Sequence, residues 1–187
     1  MSDKQEFVIV GLNSIGRTLA GLLAFGESGK LTLVDEQIVS EKCKEQGYLV
    51  PIDLNMPKTE AIISALNESV ANLEISEAKR FDEAMIERLT SKISGNTVVF
   101  FCEPMSDKAR LHMCSSLKNA CKAIYFFGFY DDGTAGVYKV IPGNYNLERS
   151  LDEIPSGKEV CAEGKLAAAR AYSAHINSSN ILPEIIA

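Results

Sequence analysis

The sequence predicts a three-layer α/β domain: a mostly parallel sheet between two sets of helices, with a closing antiparallel hairpin. Two observations carry this. Short β-branched or aromatic runs, apolar throughout, alternate with longer stretches of helical period. Continuous apolar strands of that kind are buried on both faces, as in parallel sheets covered by helices. The chain has 187 residues, 46% hydrophobic and 24% charged, which is room for one well-buried domain and is not the composition of a disordered tract.

Each element has its own signal. Phe7-Val8-Ile9-Val10 reads as the first buried strand, and Ile15 to Phe25 as a helix opened by Gly16. Leu31-Thr32-Leu33-Val34 is a second buried strand, ending in Asp35. Pro57 fits the first position of a helix carried by Thr59 to Leu66, because its missing N–H would be unpaired there anyway. Asn72 to Ile75 reads as a short strand and Phe81 to Ile93 as a helix of mixed charge. Thr97 to Phe101 is strand, Ser106 to Cys121 helix and Ala123 to Phe129 strand again. Asp131-Asp132-Gly133 has turn chemistry, so Val137 to Ile141 is expected to pair back antiparallel. The pattern changes after Pro142-Gly143-Asn144. Residues 1–144 are therefore read as the main domain and 145–187 as a C-terminal appendage with one helix, about Glu159 to Ile176.

Charge and cysteine content narrow the class. A net charge of −6 weighs against nucleic acid or an anionic membrane surface as the main partner. The first apolar run stops at Gly11 after four residues, which is no signal peptide, and no stretch has a membrane helix's apolar length. Five cysteines, an odd number without C-x-x-C spacing, signal neither a disulfide framework nor a zinc site. Reduced thiols and a cytoplasmic or nuclear protein are expected.

The first strand–helix turn is Gly11-Leu12-Asn13-Ser14-Ile15-Gly16. A dinucleotide fingerprint has glycine at the first, third and sixth positions, and the third lets the backbone approach the phosphates. Here the third is Asn13, whose side chain occupies that space. Asp35, 19 residues past Gly16, stands where an acid hydrogen-bonds ribose hydroxyls. Two readings follow: a Rossmann-like nucleotide site, or a Gly16 that packs helix to strand and an Asp35 that caps a loop. Lys58, at a helix start, is placed to hold an anion.

Leu31-Thr32-Leu33-Val34-Asp35, then Val39, Gln46-Gly47-Tyr48-Leu49 and Met56-Pro57-Lys58-Thr59-Glu60-Ala61 resemble the ThiF-like, ubiquitin-activating-enzyme superfamily. The strand Val98 to Phe101, the Arg110 helix and the Phe127-Gly128-Phe129…Gly136-Val137 pair fit the same template, so the resemblance covers roughly residues 6 to 142. Within the superfamily, the wording around Gly11-Leu12-Asn13, Glu36-Gln37 with Val39, and Phe127-Gly128-Phe129 is most similar to the small subunit of the heterodimeric SUMO-activating enzyme.

The resemblance implies ATP- and magnesium-dependent adenylation of a ubiquitin-like protein's C-terminal carboxylate. Asp35 matches the ribose-binding acid, and Lys58 the lysine that neutralises phosphate charge. Gly11, Asn13 and Gly16 complete the implied cofactor-binding set. Other parts are missing. Where the family has an Asn and an Arg ahead of the Gln, this chain has Lys42-Cys43-Lys44-Glu45. The metal acid falls on Met105, with Glu103 and Asp107 out of register. With the first strand beginning six residues in, the arginine supplied in trans from an N-terminal extension has no counterpart.

The resemblance thus implies a non-catalytic, pseudo-adenylation subunit with no catalytic and no metal-ligating residue of its own, and ATP only at a vestigial site. Its partners would be a larger catalytic subunit in a heterodimer and, indirectly, a ubiquitin-like modifier. An active adenylating enzyme and an NAD-binding oxidoreductase are the alternatives. Cys161, flanked by Glu159 and Glu163, is read as an inert thiol rather than a thioester nucleophile. Cys102 is read as core filler, and Cys114 and Cys121 as packing residues on one face of one helix. His112 and His175 have no ligand spacing and are read as ordinary histidines. Phe129 and Tyr130 are candidates for a subunit contact.

Overall fold

A computed structural model of the chain describes residues 5–25, 29–40, 43, 54–67, 74–91, 96–103, 105, 107–117, 120–129 and 135–140. The C-terminal appendage, Cys161, His175, Tyr130 and the Gln46 segment lie outside the described residues. The elements run β1 (Glu6–Val10), α1 (Ser14–Phe25), β2 (Lys30–Val34), α2 (Lys58–Asn67), β3 (Glu74–Ala78), α3 (Glu83–Thr90), β4 (Thr97–Phe101), α4 (Asp107–Ser116), β5 (Ala123–Phe129) and β6 (Ala135–Val140).

The strands form one sheet in the order β3-β2-β1-β4-β5-β6. The first five are parallel, and β6 runs antiparallel to β5. The order reverses between β1 and β4, whose following connections leave in opposite directions along the sheet. That opens a crevice at the carboxyl ends of the strands, as in Rossmann-like folds.

Strand periodicity divides the core into two. Phe7, Ile9, Leu31, Leu33, Phe100 and Tyr125 face α1 and α2. On α1, Ile15, Leu19, Ala20, Leu23 and Ala24 are buried, the four-residue recurrence that lays one helical stripe on a sheet. Val8, Val99, Phe101, Ile124 and Phe126 face the other way, toward Met85 and Leu89 of α3 and Cys114 of α4. Aromatic pairs bind the sheet across strands: Phe100 stacks on Tyr125 at 5.1 Å and Phe101 on Phe126 at 5.2 Å between ring centroids. Phe126 and Phe127 are thus core residues, one on each face.

Three elements differ from the sequence reading. The third strand, Glu74–Ala78, runs past the end expected at Ile75 because its register is set by β2: Lys30 lies opposite Glu74, and Val34 opposite Ala78; residues 72 and 73 lie outside those described. The helix expected over Phe81 to Ile93 is the shorter α3, because Asp82 caps it by accepting from the Met85 N–H at 3.0 Å; such caps contribute about 0.5–2 kcal/mol. The helix expected to reach Cys121 ends at Ser116. Cys121 therefore lies in the lead-in to β5, off the helix that holds Cys114, although both thiols are buried in the same cluster.

Candidate functional site

Three turns converge at the carboxyl ends of β1, β2 and β4, around a cleft of about 320 Å³ whose lining includes Gly11, Asp35, Glu36, Gln37, Arg80 and Glu103. Gly11 opens the β1–α1 turn with φ +89, a left-handed conformation that strains any residue with a Cβ. A Cβ on Gly16 would lie 1.9 Å from the Gly11 carbonyl oxygen. Both glycines are required by the turn itself, whatever it binds.

Asn13 closes that turn. Its Oδ1 accepts from the N–H groups of Ile15 at 3.0 Å and Gly16 at 3.2 Å, and its Nδ2 donates to the carbonyl of Cys102 across the strand switch. Free amides at a helix start are where a phosphate docks. In this chain the asparagine amide oxygen already takes them.

Asp35 is buried, its side chain 1% exposed. Oδ2 accepts from the Leu12 N–H and Oδ1 from the Gln37 N–H, each at 2.7 Å. Lys58, only 7% exposed, donates from Nζ to Gln37 Oε1 at 2.6 Å and stands 3.9 Å from Asp35 Oδ2. The crossover that places it is an antiparallel bridge between Ile38 and Pro57, clamped by Val39 N–H to Met56 carbonyl at 2.8 Å. Pro57 is thus a bridge residue just before α2, whose first residue is Lys58.

Glu103, just past β4, completes the cleft from the other side of the switch point. Its Cγ would lie 2.1 Å from a Cβ on Gly11, so its side chain rests directly over the glycine. Partial burial, then the charge of Asp35, raises the Glu103 pKa; Lys58 opposes this and Glu36 adds to it. Glu36 itself pairs with Arg80 at the cleft rim.

The structure therefore brings together all five residues expected from sequence: Gly11, Asn13, Gly16, Asp35 and Lys58. Sequence reasoning did not find Gln37, which holds the lysine, or Glu103, which it had placed out of register for a metal. Met105 is half-buried and lines the same cleft. Arg110 is almost fully buried. His112 is exposed. Cys102 is fully buried, and burial raises its thiol pKa, as it does for Cys114, pushed up to about 11, and Cys121, pushed up to about 12. Such thiols are not nucleophiles at neutral pH.

No family model matches the chain, and no curated protein is similar to it in sequence. Solved structures are similar in fold. E. coli MccB with succinimide superposes with a TM-score of 0.65 at 17% identity, over 92% of this chain and 54% of that one. MccB with ATP gives 0.58 at 18% identity, over 93% and 55%. MccB with AMPCPP and MccA gives 0.61 at 17%, over 97% and 56%. The chain thus spans about half the length of these structures, and at such identity the likeness is one of fold.

Proposed function

We propose that the chain is a non-catalytic, pseudo-adenylation half of a ThiF-like activating enzyme, acting in the cytoplasm or nucleus and completing a larger partner that binds ATP. The resemblance of its motifs to that superfamily and the fold it shares with MccB structures, some of them solved with ATP or AMPCPP, support the superfamily. The finer likeness to the SUMO-activating small subunit rests on sequence wording alone.

One observation carries the non-catalytic reading: the Asn13 oxygen accepts the Ile15 and Gly16 amides that a triphosphate would need. The surroundings agree with it. Glu103 lies over Gly11, with its side chain in the space a phosphate would take beside that glycine, while Asp35 and Glu36 are offset by Lys58 and Arg80. Lys58 faces Asp35 and Gln37, whose oxygens already engage its ammonium. The described residues of this turn do not fit the triphosphate of ATP.

In this role the chain supplies a folded surface and shapes the partner's site for ATP and for the modifier. The test is calorimetry of the purified chain with ATP–magnesium and with NAD, alongside ATP–pyrophosphate exchange and co-purification from the native host. The expected result is no heat with either nucleotide, no exchange, and a 1:1 complex with a larger subunit. Saturable ATP binding with exchange by the chain alone would instead make it an active adenylating enzyme. Saturable NAD binding would instead favour the oxidoreductase reading.

A further inference from the structure

A larger cavity adjoins the cleft and shares Glu36, Lys79 and Arg80 with it. A groove of about 850 Å³ lies between β3, β2 and α3, with Thr32, Ser76, Ala78, Ala84, Met85 and Arg88 in its lining. It lies beside the eight-residue α3, at the flank of the edge strand β3. Its base is polar and connected. Ser76 Oγ lies 2.9 Å from Thr32 Oγ1, which donates to Glu6 Oε1 at 3.3 Å, and the same oxygen accepts Arg88 Nη1 at 2.8 Å.

β3 is the sheet's edge on this side among the described residues. The Asp35 N–H donates to the Ala78 carbonyl at 3.2 Å, so Ala78 turns its polar groups toward β2. Alternation along the strand then turns the N–H and C=O of Ile75 and Glu77 outward, away from β2. An edge strand beside a helix, with a groove between them, is the geometry by which a sheet takes an extended peptide as an added strand.

We infer that the β3–α3 groove binds an extended peptide of a partner protein, paired to Ile75 and Glu77 and carrying an acidic side chain toward Arg88. The small side chains of Ser76, Ala78 and Ala84 leave room for the peptide residues that enter the groove. The acid is assigned by Arg88. Nη1 is held by Glu6, but among the described residues Nη2 meets only the Met85 sulfur at 3.1 Å, and a thioether is a weak acceptor. The Arg88 side chain is 38% exposed, so a peptide carboxylate reaches that nitrogen without unburying the pair. This inference is independent of the proposed pseudo-adenylation role, since it uses no residue of the cleft chemistry.

Fluorescence anisotropy of the full chain with a fluorescein-labelled nonapeptide of alternating valine and threonine, with one central glutamate, tests it. A second peptide has lysine at that position. Saturable binding of the acidic peptide, with the lysine peptide about tenfold weaker, is expected. Glu77→Pro removes an outward N–H and is expected to weaken binding about tenfold at an unchanged melting temperature. Ala84→Trp, which fills the groove from the helix, gives the same loss should Glu77→Pro fail to fold. Arg88→Lys keeps a cation on Glu6 and should abolish the preference for acid. Absence of saturable binding, equal affinity for both peptides, or binding untouched by both Glu77→Pro and Ala84→Trp overturns the inference. So does self-association by light scattering that Glu77→Pro abolishes, because a second copy would then fill the edge.

Discussion

At the carboxyl ends of β1 and β2 the chain meets its own polar groups: Asn13 takes the first amides of α1, and Asp35 takes those of Leu12 and Gln37. Along β3 it does the reverse. There the backbone of Ile75 and Glu77 turns outward beside an open groove, and Arg88 keeps a nitrogen on sulfur. Polar groups satisfied internally hold a fold in place, and polar groups left to solvent remain available to a partner. The position where a Rossmann-like sheet ordinarily binds its ligand is here the internally satisfied one.

The contrast is sharpest at Asp35. As a structural acceptor, its replacement by alanine leaves the Leu12 and Gln37 amides and the buried Lys58 ammonium without their carboxylate. The expected loss is about 3–5 kcal/mol of unfolding free energy, read from urea denaturation. An Asp35→Ala chain of unchanged stability would break the comparison. Asn13→Ala follows, with an expected loss of about 1 kcal/mol for the helix cap by the same measurement.

Glu103→Gln carries the opposite sign. A carboxyl whose pKa is raised in the folded chain binds its proton more tightly folded than unfolded, so its ionised form weighs against folding. The variant should be slightly more stable at neutral pH. Its gain should shrink as the pH falls through the raised pKa and vanish below the usual glutamate range. Thermal melts between pH 4 and pH 8 would show this crossing. Smallest is Ala84→Trp in the groove, where stability should stay within about 0.5 kcal/mol of the parent chain. A large loss there would make the groove part of the structural core.

The strands that sequence located best are those buried on both faces. Phe7 to Val10, Leu31 to Val34, Thr97 to Phe101 and Ala123 to Phe129 are apolar runs, and little but a central parallel sheet can bury them. The far end of β3 was placed at Ile75 rather than Ala78 because an edge strand carries charges, here Glu74 and Glu77; that limit comes from pairing with β2, not from its own pattern. Gly11, Asn13, Gly16, Asp35 and Lys58 were legible because turns and helix starts have local rules. Glu103 was not. It reaches Gly11 only because β1 and β4 are adjacent in the sheet, a contact between residues far apart in sequence that no local spacing encodes.

The same adjacency governs the order in which the chain is able to fold. β1 lies between β2 and β4, and its Glu6 meets Thr97 across a separation of 91 residues. At a synthesis rate of about 5–20 residues per second, roughly 5–20 s pass between the emergence of these two partners. Throughout that interval Phe7, Val8 and Ile9 have a neighbour on one side only, and an unpaired apolar strand is a site for wrong association. Of the six strands, the central one emerges before the others and is among the last to be enclosed, so production depends on protecting Phe7 to Val10 until the fourth strand arrives.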